Sequence, residues 1–406
     1  MSTAGETPAL PGSRPLVILG GLHESRRTTV RDFAKKLNAP IYAEPLSGLR
    51  EDLAHLSITA GERMIGCGNF DSVIRIGNVP TLRFWRDLDE SRRDLPLISF
   101  SALPFTGCSR GEVFPLESLP SDITPRERDE AFFTADHERA AAIAQLLDDE
   151  PYSELAMFRS LSQSIPPNAR VYLGNSLPIR EWDLAAIREP RGFEIAANRG
   201  ANGIDGQLST FFGQCDPGRS NVCVVGDLTA IYDSNAPWIV QQLDAGIDWR
   251  IVIINNGGGR IFSRVPSLRK LDASMRERII ENAHDLRFDH WAAMGSLGEG
   301  VRELRPDAGA GRRARARAAG AGGKRRRTGS PERGPERAVA AALFQPAQTQ
   351  GDAQPADRQV EEEDPVQQVV IAQPAAQQRA AGRGEHQRDA EDAQRCAALL
   401  GREGAE

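Results

Sequence analysis

Two apolar runs of four residues constrain this chain most. Val222-Cys223-Val224-Val225 ends in Gly226-Asp227, and Ile251-Val252-Ile253-Ile254 ends in Asn255-Asn256, with 27 residues between the two polar pairs. A short run without polar alternation, closed by a turn, reads as a strand buried on both faces, and such strands belong to parallel sheets. Ligand sites in these sheets gather just outside the carboxyl ends of the strands, which is where both polar pairs fall.

The pattern repeats up to about Met294. Leu16-Val17-Ile18-Leu19 ends in Gly20-Gly21, and 28–37 has helical spacing with Val30, Phe33, Ala34 and Leu37 on one face. Strands are expected over 40–43 and 72–76. A stretch rich in Pro, Asp and Arg over 120–129 reads as a linker. Beyond it, helices are expected over 137–147, 152–161, 178–187 and 232–243, and strands over 170–174, 221–225 and 249–254. Strands alternating with helices imply an α/β fold with parallel sheets. The expected order is a linker over 1–13, a middle domain over 14–122 and a second domain over 123–296.

Composition breaks after Met294. Residues 297–406 hold only 13 Val, Ile, Leu, Met, Phe, Tyr or Trp among 110, too little apolar surface to offset chain entropy. This segment is therefore expected to be disordered. Its 17 arginines against one lysine, and a break inside an apparent domain, favour a frameshifted reading of a G/C-rich gene over a natural tail. On the frameshift reading Lys324-Arg325-Arg326-Arg327 means nothing, and on the natural-tail reading a solvated charge run is favoured over a nucleic-acid patch. The net charge of −6 carries no nucleic-acid footprint. Five cysteines without CxxC or zinc spacing fit a reducing cytoplasm. The first residues lack the apolar core of a signal peptide, and no run approaches the ~20 apolar residues of a membrane span. A cytoplasmic protein is expected.

The two polar pairs carry chemistry of a definite kind. Gly226 lets backbone approach a phosphate. Asp227 offers a hard carboxylate oxygen and Asn256 a neutral amide oxygen. Mg²⁺ takes few protein oxygens and completes its octahedron with phosphate oxygens, and helix N-termini after each turn favour the anion. The bland alternative is a pair of strand-end turns, which also use Gly, Asp and Asn. His137, His284 and His290 have no metal spacing and read as structural or surface residues.

The paired motif resembles the Gly-Asp-Gly and Asn-Asn pattern of thiamine-diphosphate enzymes, with Leu228 where that superfamily has its second glycine. Gly226-Asp227-Leu228-Thr229-Ala230-Ile231-Tyr232-Asp233 resembles the version found in the 2-succinyl-5-enolpyruvyl-6-hydroxy-3-cyclohexene-1-carboxylate synthase family of menaquinone biosynthesis. So do Gly174-Asn175-Ser176-Leu177-Pro178-Ile179-Arg180, Asn198-Arg199-Gly200-Ala201-Asn202-Gly203-Ile204-Asp205-Gly206 and Asn255-Asn256-Gly257-Gly258-Gly259-Arg260-Ile261-Phe262. Asn202 replaces the family's usual small residue. Ala43-Glu44-Pro45-Leu46-Ser47-Gly48-Leu49-Arg50 and Arg75-Ile76-Gly77-Asn78-Val79-Pro80-Thr81 resemble its middle domain. The resemblance covers about 15–295.

It implies a transferase that decarboxylates 2-oxoglutarate and joins the product to isochorismate, using thiamine diphosphate and Mg²⁺, with Mn²⁺ an alternative. Asp227, Asn256 and the Gly258 carbonyl would hold the metal. Gly226, Leu228 and Thr229 would line the diphosphate, and Ile204 would wedge the bent cofactor. Asn175, Ser176, Arg180 and Arg199 would face the substrates, and Ile261 and Phe262 would wall the pocket. Guanidinium groups suit carboxylate substrates independently of the resemblance. The bland alternatives are a helix-surface pair for Arg180, a solvated loop charge for Arg199 and plain core for Ile204. The family forms dimers or tetramers, and its chain begins with a pyrimidine-binding domain whose glutamate activates the cofactor. No Glu here matches that position, so no catalytic residue is assigned. The chain is expected to be a fragment, inactive alone, and that first domain is expected as a separate partner if it is encoded upstream. The competing readings are an acetolactate-synthase-like carboligase, opposed by the 175–180 segment and Leu228, and a non-catalytic nucleotide-binding or scaffolding subunit.

Overall fold

The structure is a computed structural model. It describes residues 8–294 apart from 201, 245 and 266, and two later strands; for 289, 293, 294, 301–304 and 367–372 the backbone alone is described. Contacts divide the chain into two compact units. Among the described residues the first comprises 8–149 and 179–203, and the second 150–178 and those from 204 onward.

The first unit is built on five strands: β1 (Pro15–Leu19), β2 (Ile41–Ala43), β3 (Ser72–Ile76), β4 (Leu97–Phe100) and β5 (Glu112–Phe114). All are parallel, in the order β2-β1-β3-β4-β5. Helix α1 (Glu24–Leu37) buries Val30, Phe33, Ala34 and Leu37, the face its spacing predicts, beginning one turn before the expected start. They pack with Val17, Leu19, Ile74, Ile76, Ile98 and Phe100 on one side of the sheet. Each large side chain buried there contributes about 1.5–3 kcal/mol, and Phe33→Ala would cost about 3–5 kcal/mol. His23 caps the helix, its Nδ1 accepting from Ser25 N. Asn38 ends it in the left-handed region at φ 58°, which asparagine tolerates.

The other side of the sheet carries Leu16, Ile18, Val73 and Leu97, covered by Phe84 and Trp85 of α2 (Arg83–Asp87). Phe132 and Phe133 of α3 (Glu130–Asp149) also pack there. The sequence reading put α3 in the second domain. Its place in the first unit is fixed by those phenylalanines and by buried Asp136, whose carboxylate accepts from Thr59 N, Thr59 Oγ1 and Ala60 N at 2.8, 2.6 and 2.9 Å.

The second unit contains α4 (Glu154–Ser164), β6 (Arg170–Leu173), β8 (Asn221–Gly226) and β9 (Trp249–Ile254); α5 (Leu177–Ala185) and β7 (Glu194–Ala196) lie between β6 and β8 in the chain. Helices α6 (Gln207–Gly213) and α7 (Asp227–Tyr232) flank β8 in sequence. The helix expected over 232–243 is not continuous. Chain 236–242 is a 3₁₀ helix with proline in its first turn, because Pro237 in a helix interior would clash with the preceding turn. Val301–Leu304 (β10) and Gln367–Ala372 (β11) are parallel strands, and β11 pairs with β9 through Val370↔Val252. These strands depart from the disorder expected over 297–406; the remainder of that segment lies outside the described residues. The class is thus α/β with two parallel sheets, as expected.

Candidate functional site

Register places three strand ends side by side in the second unit. Leu173 of β6 pairs with Val224 of β8, and Val224 pairs with Val252 of β9. One to three residues further on, the chains leave the sheet at Gly174-Asn175, Gly226-Asp227 and Asn255-Asn256. The polar pairs singled out in the sequence therefore share one edge of one sheet, together with the 174–176 turn.

Asp227 is almost fully buried and is held from both directions. Its Oδ1 accepts from Leu228 N at 2.6 Å, and its Oδ2 accepts from Gly257 N and Gly258 N at 2.7 and 2.9 Å. Charge-assisted bonds of this type are the stronger class, and they tie the end of β8 to the loop after β9. That loop needs its glycines. Gly258 has φ +128°, and a Cβ there would lie 2.6 Å from the Glu281 carbonyl oxygen. Buried Glu281 anchors the same loop, accepting from Arg260 Nη1 at 2.7 Å and Arg276 Nε at 2.8 Å.

Asn256 has its two amide atoms in different situations. Nδ2 donates to Glu154 Oε1 at 3.0 Å, which orients the group. Oδ1 is buried and has no hydrogen-bond partner among the described residues. An unmatched buried acceptor of this kind costs about 1–3 kcal/mol. The Gly258 carbonyl accepts from Arg260 N at 2.8 Å, which leaves a carbonyl oxygen one lone pair. Asn255 instead donates to Leu286 O and is a structural member of the pair.

Sequence reasoning missed three residues here. His284 Nε2 stands 3.4 Å from Asp227 Oδ2. Its Nδ1 accepts from Leu286 N. Glu154 and Glu281 are the others. None belongs to a spaced motif, so no local signal pointed to them.

Among the other expected residues, Thr229 is buried, and Leu228, Ile204 and Ile261 are half-buried. Phe262 is exposed. Asn175 is buried and its N–H donates to Gln207 Oε1 at 2.9 Å; Ser176 adopts φ 73°. Asp233, last residue of the Gly226–Asp233 motif, accepts from Ser209 N and Oγ at 2.8 and 3.0 Å, so it fastens α6 to the end of α7. Helix α7 spans only six residues, so the dipole expected to favour an anion there is small. Among the described residues no cluster of three or more His, Cys, Asp or Glu forms.

Arg180 and Arg199 belong to the first unit. Burial and the neighbouring Arg180 charge lower the Arg199 pKa, opposed by Glu44. Glu44 is buried, accepts from Thr81 N and Oγ1 at 2.8 and 2.7 Å, and is pushed up to about 7, chiefly by burial. Burial also raises Glu62, opposed in part by Phe84 N and Arg180. So Arg199 is no solvated loop charge. At the switch point between β1 and β3, where open α/β sheets bind nucleotides, backbone fills the crevice. Gly20 N donates to Ile76 O and Asn78 N to Gly21 O, both at 3.0 Å, and a Cβ on Gly20 would lie 2.1 Å from Asn78 O. The first unit's switch-point crevice is therefore closed by its own backbone.

Comparison with known proteins gives one name repeatedly. The chain is 43% identical over 291 residues to the 2-succinyl-5-enolpyruvyl-6-hydroxy-3-cyclohexene-1-carboxylate synthase of Bdellovibrio bacteriovorus, covering 69% of this chain and 53% of that protein. Proteins of the same name from Akkermansia muciniphila and Bacillus velezensis are 36% identical over 283 residues and 30% identical over 319 residues. They are matched over 67% and 71% of this chain, and over 52% and 53% of their own lengths. The chain thus spans about half the length of the curated relatives it matches. No family model matches it.

Proposed function

We propose, from the premise that this chain is a relative of the 2-succinyl-5-enolpyruvyl-6-hydroxy-3-cyclohexene-1-carboxylate synthases, that it serves the thiamine-diphosphate-dependent decarboxylation of 2-oxoglutarate and addition to isochorismate in menaquinone biosynthesis. The observation that carries this reading is the buried, unmatched Asn256 Oδ1 at the start of the loop that Asp227 fastens through the Gly257 and Gly258 amides. Asp227, Asn256 and the Gly258 carbonyl offer hard oxygens, few in number, which fits Mg²⁺ or Mn²⁺ completed by diphosphate oxygens. Thiamine diphosphate, when bound, supplies the carbanion chemistry.

The chain's own residues bind and orient. Gly226, Leu228 and Thr229 line the diphosphate. Ile204 supplies an apolar prop. Asn175, Ser176, Arg180 and Arg199 face the substrates, the two arginines suiting their carboxylates, and Ile261 with Phe262 gives an apolar wall. A homo-oligomer and a pyrimidine-binding domain as partner complete the reading. The cytoplasm is the proposed compartment: Cys67, Cys108, Cys215 and Cys223 are free thiols, and among the described residues no helix is long and apolar enough to cross a membrane.

The test is calorimetric titration of the purified chain with thiamine diphosphate, with and without Mg²⁺. Mg²⁺-dependent binding is expected, lost in Asp227→Ala and weakened less in Asn256→Ala, which removes a neutral ligand. Undiminished affinity in Asp227→Ala would take that residue out of the site. Turnover of pyruvate in place of 2-oxoglutarate, in a form competent for catalysis, would favour the acetolactate-synthase-like reading.

A further inference from the structure

Arg75 lies in the middle of β3, fully buried, on the side of the sheet otherwise lined by Leu16, Ile18, Val73 and Leu97. Register sets it between Ile18 of β1 and Ser99 of β4. Neighbouring strands are about 4.8 Å apart, so Arg75 and Ser99 stand side by side on this face. The guanidinium donates through Nη2 to Phe105 O at 3.0 Å and lies over the Trp85 ring, 5.9 Å from its centroid.

The remaining donors go unanswered. Arg75 Nε and Nη1, Ser99 Oγ and Trp85 Nε1 are all buried without a hydrogen-bond partner among the described residues. The 105–108 loop lies against two of these side chains: Phe105 O takes Arg75 Nη2, and a Cβ on Gly107 would lie 3.2 Å from Trp85 Nε1. Among the described residues no carboxylate pairs with the guanidinium. Burial lowers the Arg75 pKa to about 10, and the opposing influence is the Cys108 thiol, itself pushed up to about 11 and therefore neutral at pH 7. A guanidinium stays charged in proteins, and a buried charge without a counter-charge is strongly unfavourable. Water is a poor answer. It has two acceptor sites, whereas arginine and indole N–H groups only donate, leaving more donors than a water can accept.

We propose that the first unit binds a small monovalent anion, of halide or formate size, against Arg75, Ser99 and Trp85 beneath the 105–108 loop. The anion neutralises the guanidinium and accepts the unanswered N–H and O–H groups.

The test uses the full chain at constant ionic strength, with sodium gluconate exchanged for chloride, bromide or formate, and reads amide hydrogen exchange in β3 and β4. At an anion concentration about ten times Kd, exchange through opening of this unit is expected to slow about tenfold. Comparing chloride with formate tells a halide site from a carboxylate site. Ser99→Ala should weaken the response and Arg75→Met abolish it. If Arg75→Met fails to fold, crystals of the wild-type chain grown in bromide decide: an anomalous peak within hydrogen-bond reach of Arg75 supports the site. A water there with no anomalous peak would overturn the proposal. So would identical exchange in all four salts, or equal slowing of the β8 and β9 amides, which marks a general salt effect.

Discussion

Replacing Glu44 by Gln tests how strongly the first unit perturbs its buried carboxyl. Glu44 is 3% exposed. Burial raises its pKa most, Asp183 adds to the rise, and the Thr81 hydrogen bonds and Arg199 oppose it, leaving it at about 7 against an ordinary 4.5. The folded protein therefore holds this proton more tightly than the unfolded chain does. Stability contributed by the group is fully present below pH 4.5 and is lost as pH rises toward 7. The difference between the two values corresponds to about 3 kcal/mol. Gln keeps the acceptor for Thr81 N and Oγ1 and cannot ionise. The Glu44→Gln variant should thus gain about 1 kcal/mol over wild type at pH 5 and about 3 kcal/mol at pH 8. Native-state hydrogen exchange of β1 and β3 amides, corrected for intrinsic rates, reports the opening free energy of this unit without assuming that both units unfold together. Comparing variant with wild type at each pH cancels the other groups that titrate in this range. The same difference at pH 5 and pH 8 would show that Glu44 does not titrate in this window and that the burial argument is wrong.

Gly258→Ala should destabilise the second unit by about 1–3 kcal/mol, since φ +128° and the 2.6 Å approach to Glu281 O both exclude a Cβ; unchanged exchange of the β8 and β9 amides would refute this. In a catalytically competent form, Arg180→Ala or Arg199→Ala should impair use of a carboxylate substrate by roughly ten- to a hundredfold, the value of a charge-assisted contact. Thiamine diphosphate affinity should stay nearly intact. Loss of the cofactor with normal substrate kinetics would contradict that role.

Local pattern carried much of this fold. The buried face of α1 and strands β1, β3, β6, β8 and β9 follow from apolar spacing, because each is decided by burial of its own side chains. Strand β4 and the three-residue β5 escaped detection; β5 is only partly buried, with Glu112 exposed, so its apolar pattern is weak. The assignment of α3 was beyond local reasoning, since it rests on Asp136 meeting Thr59, 77 residues away in sequence. The candidate site divides in the same way. Asp227 and Gly258 were legible as parts of paired motifs. Glu154, 102 residues from Asn256, and His284 were not, because strand order brings them together and spacing does not encode strand order.

Several polar groups at this site are satisfied within the chain, and Asn256 Oδ1 is not. Asp233 has Ser209, Asn255 has Leu286 O, Glu281 has two arginines, and Gln207 holds Asn175 N–H. Polar side chains can be as buried as these and serve only to fix loops. Asn256 Oδ1 stands apart because its own amide nitrogen is satisfied and locks the oxygen in place, unmatched. Arg75 has the converse arrangement, with one nitrogen bound to Phe105 O and two left as donors. In a well-packed interior a residue of this kind is costly, and a ligand from outside the chain is one way to answer it. The sign of the answer follows from the atoms: a fixed buried acceptor beside a carboxylate calls for a cation, and a fixed buried cation beside further donors calls for an anion.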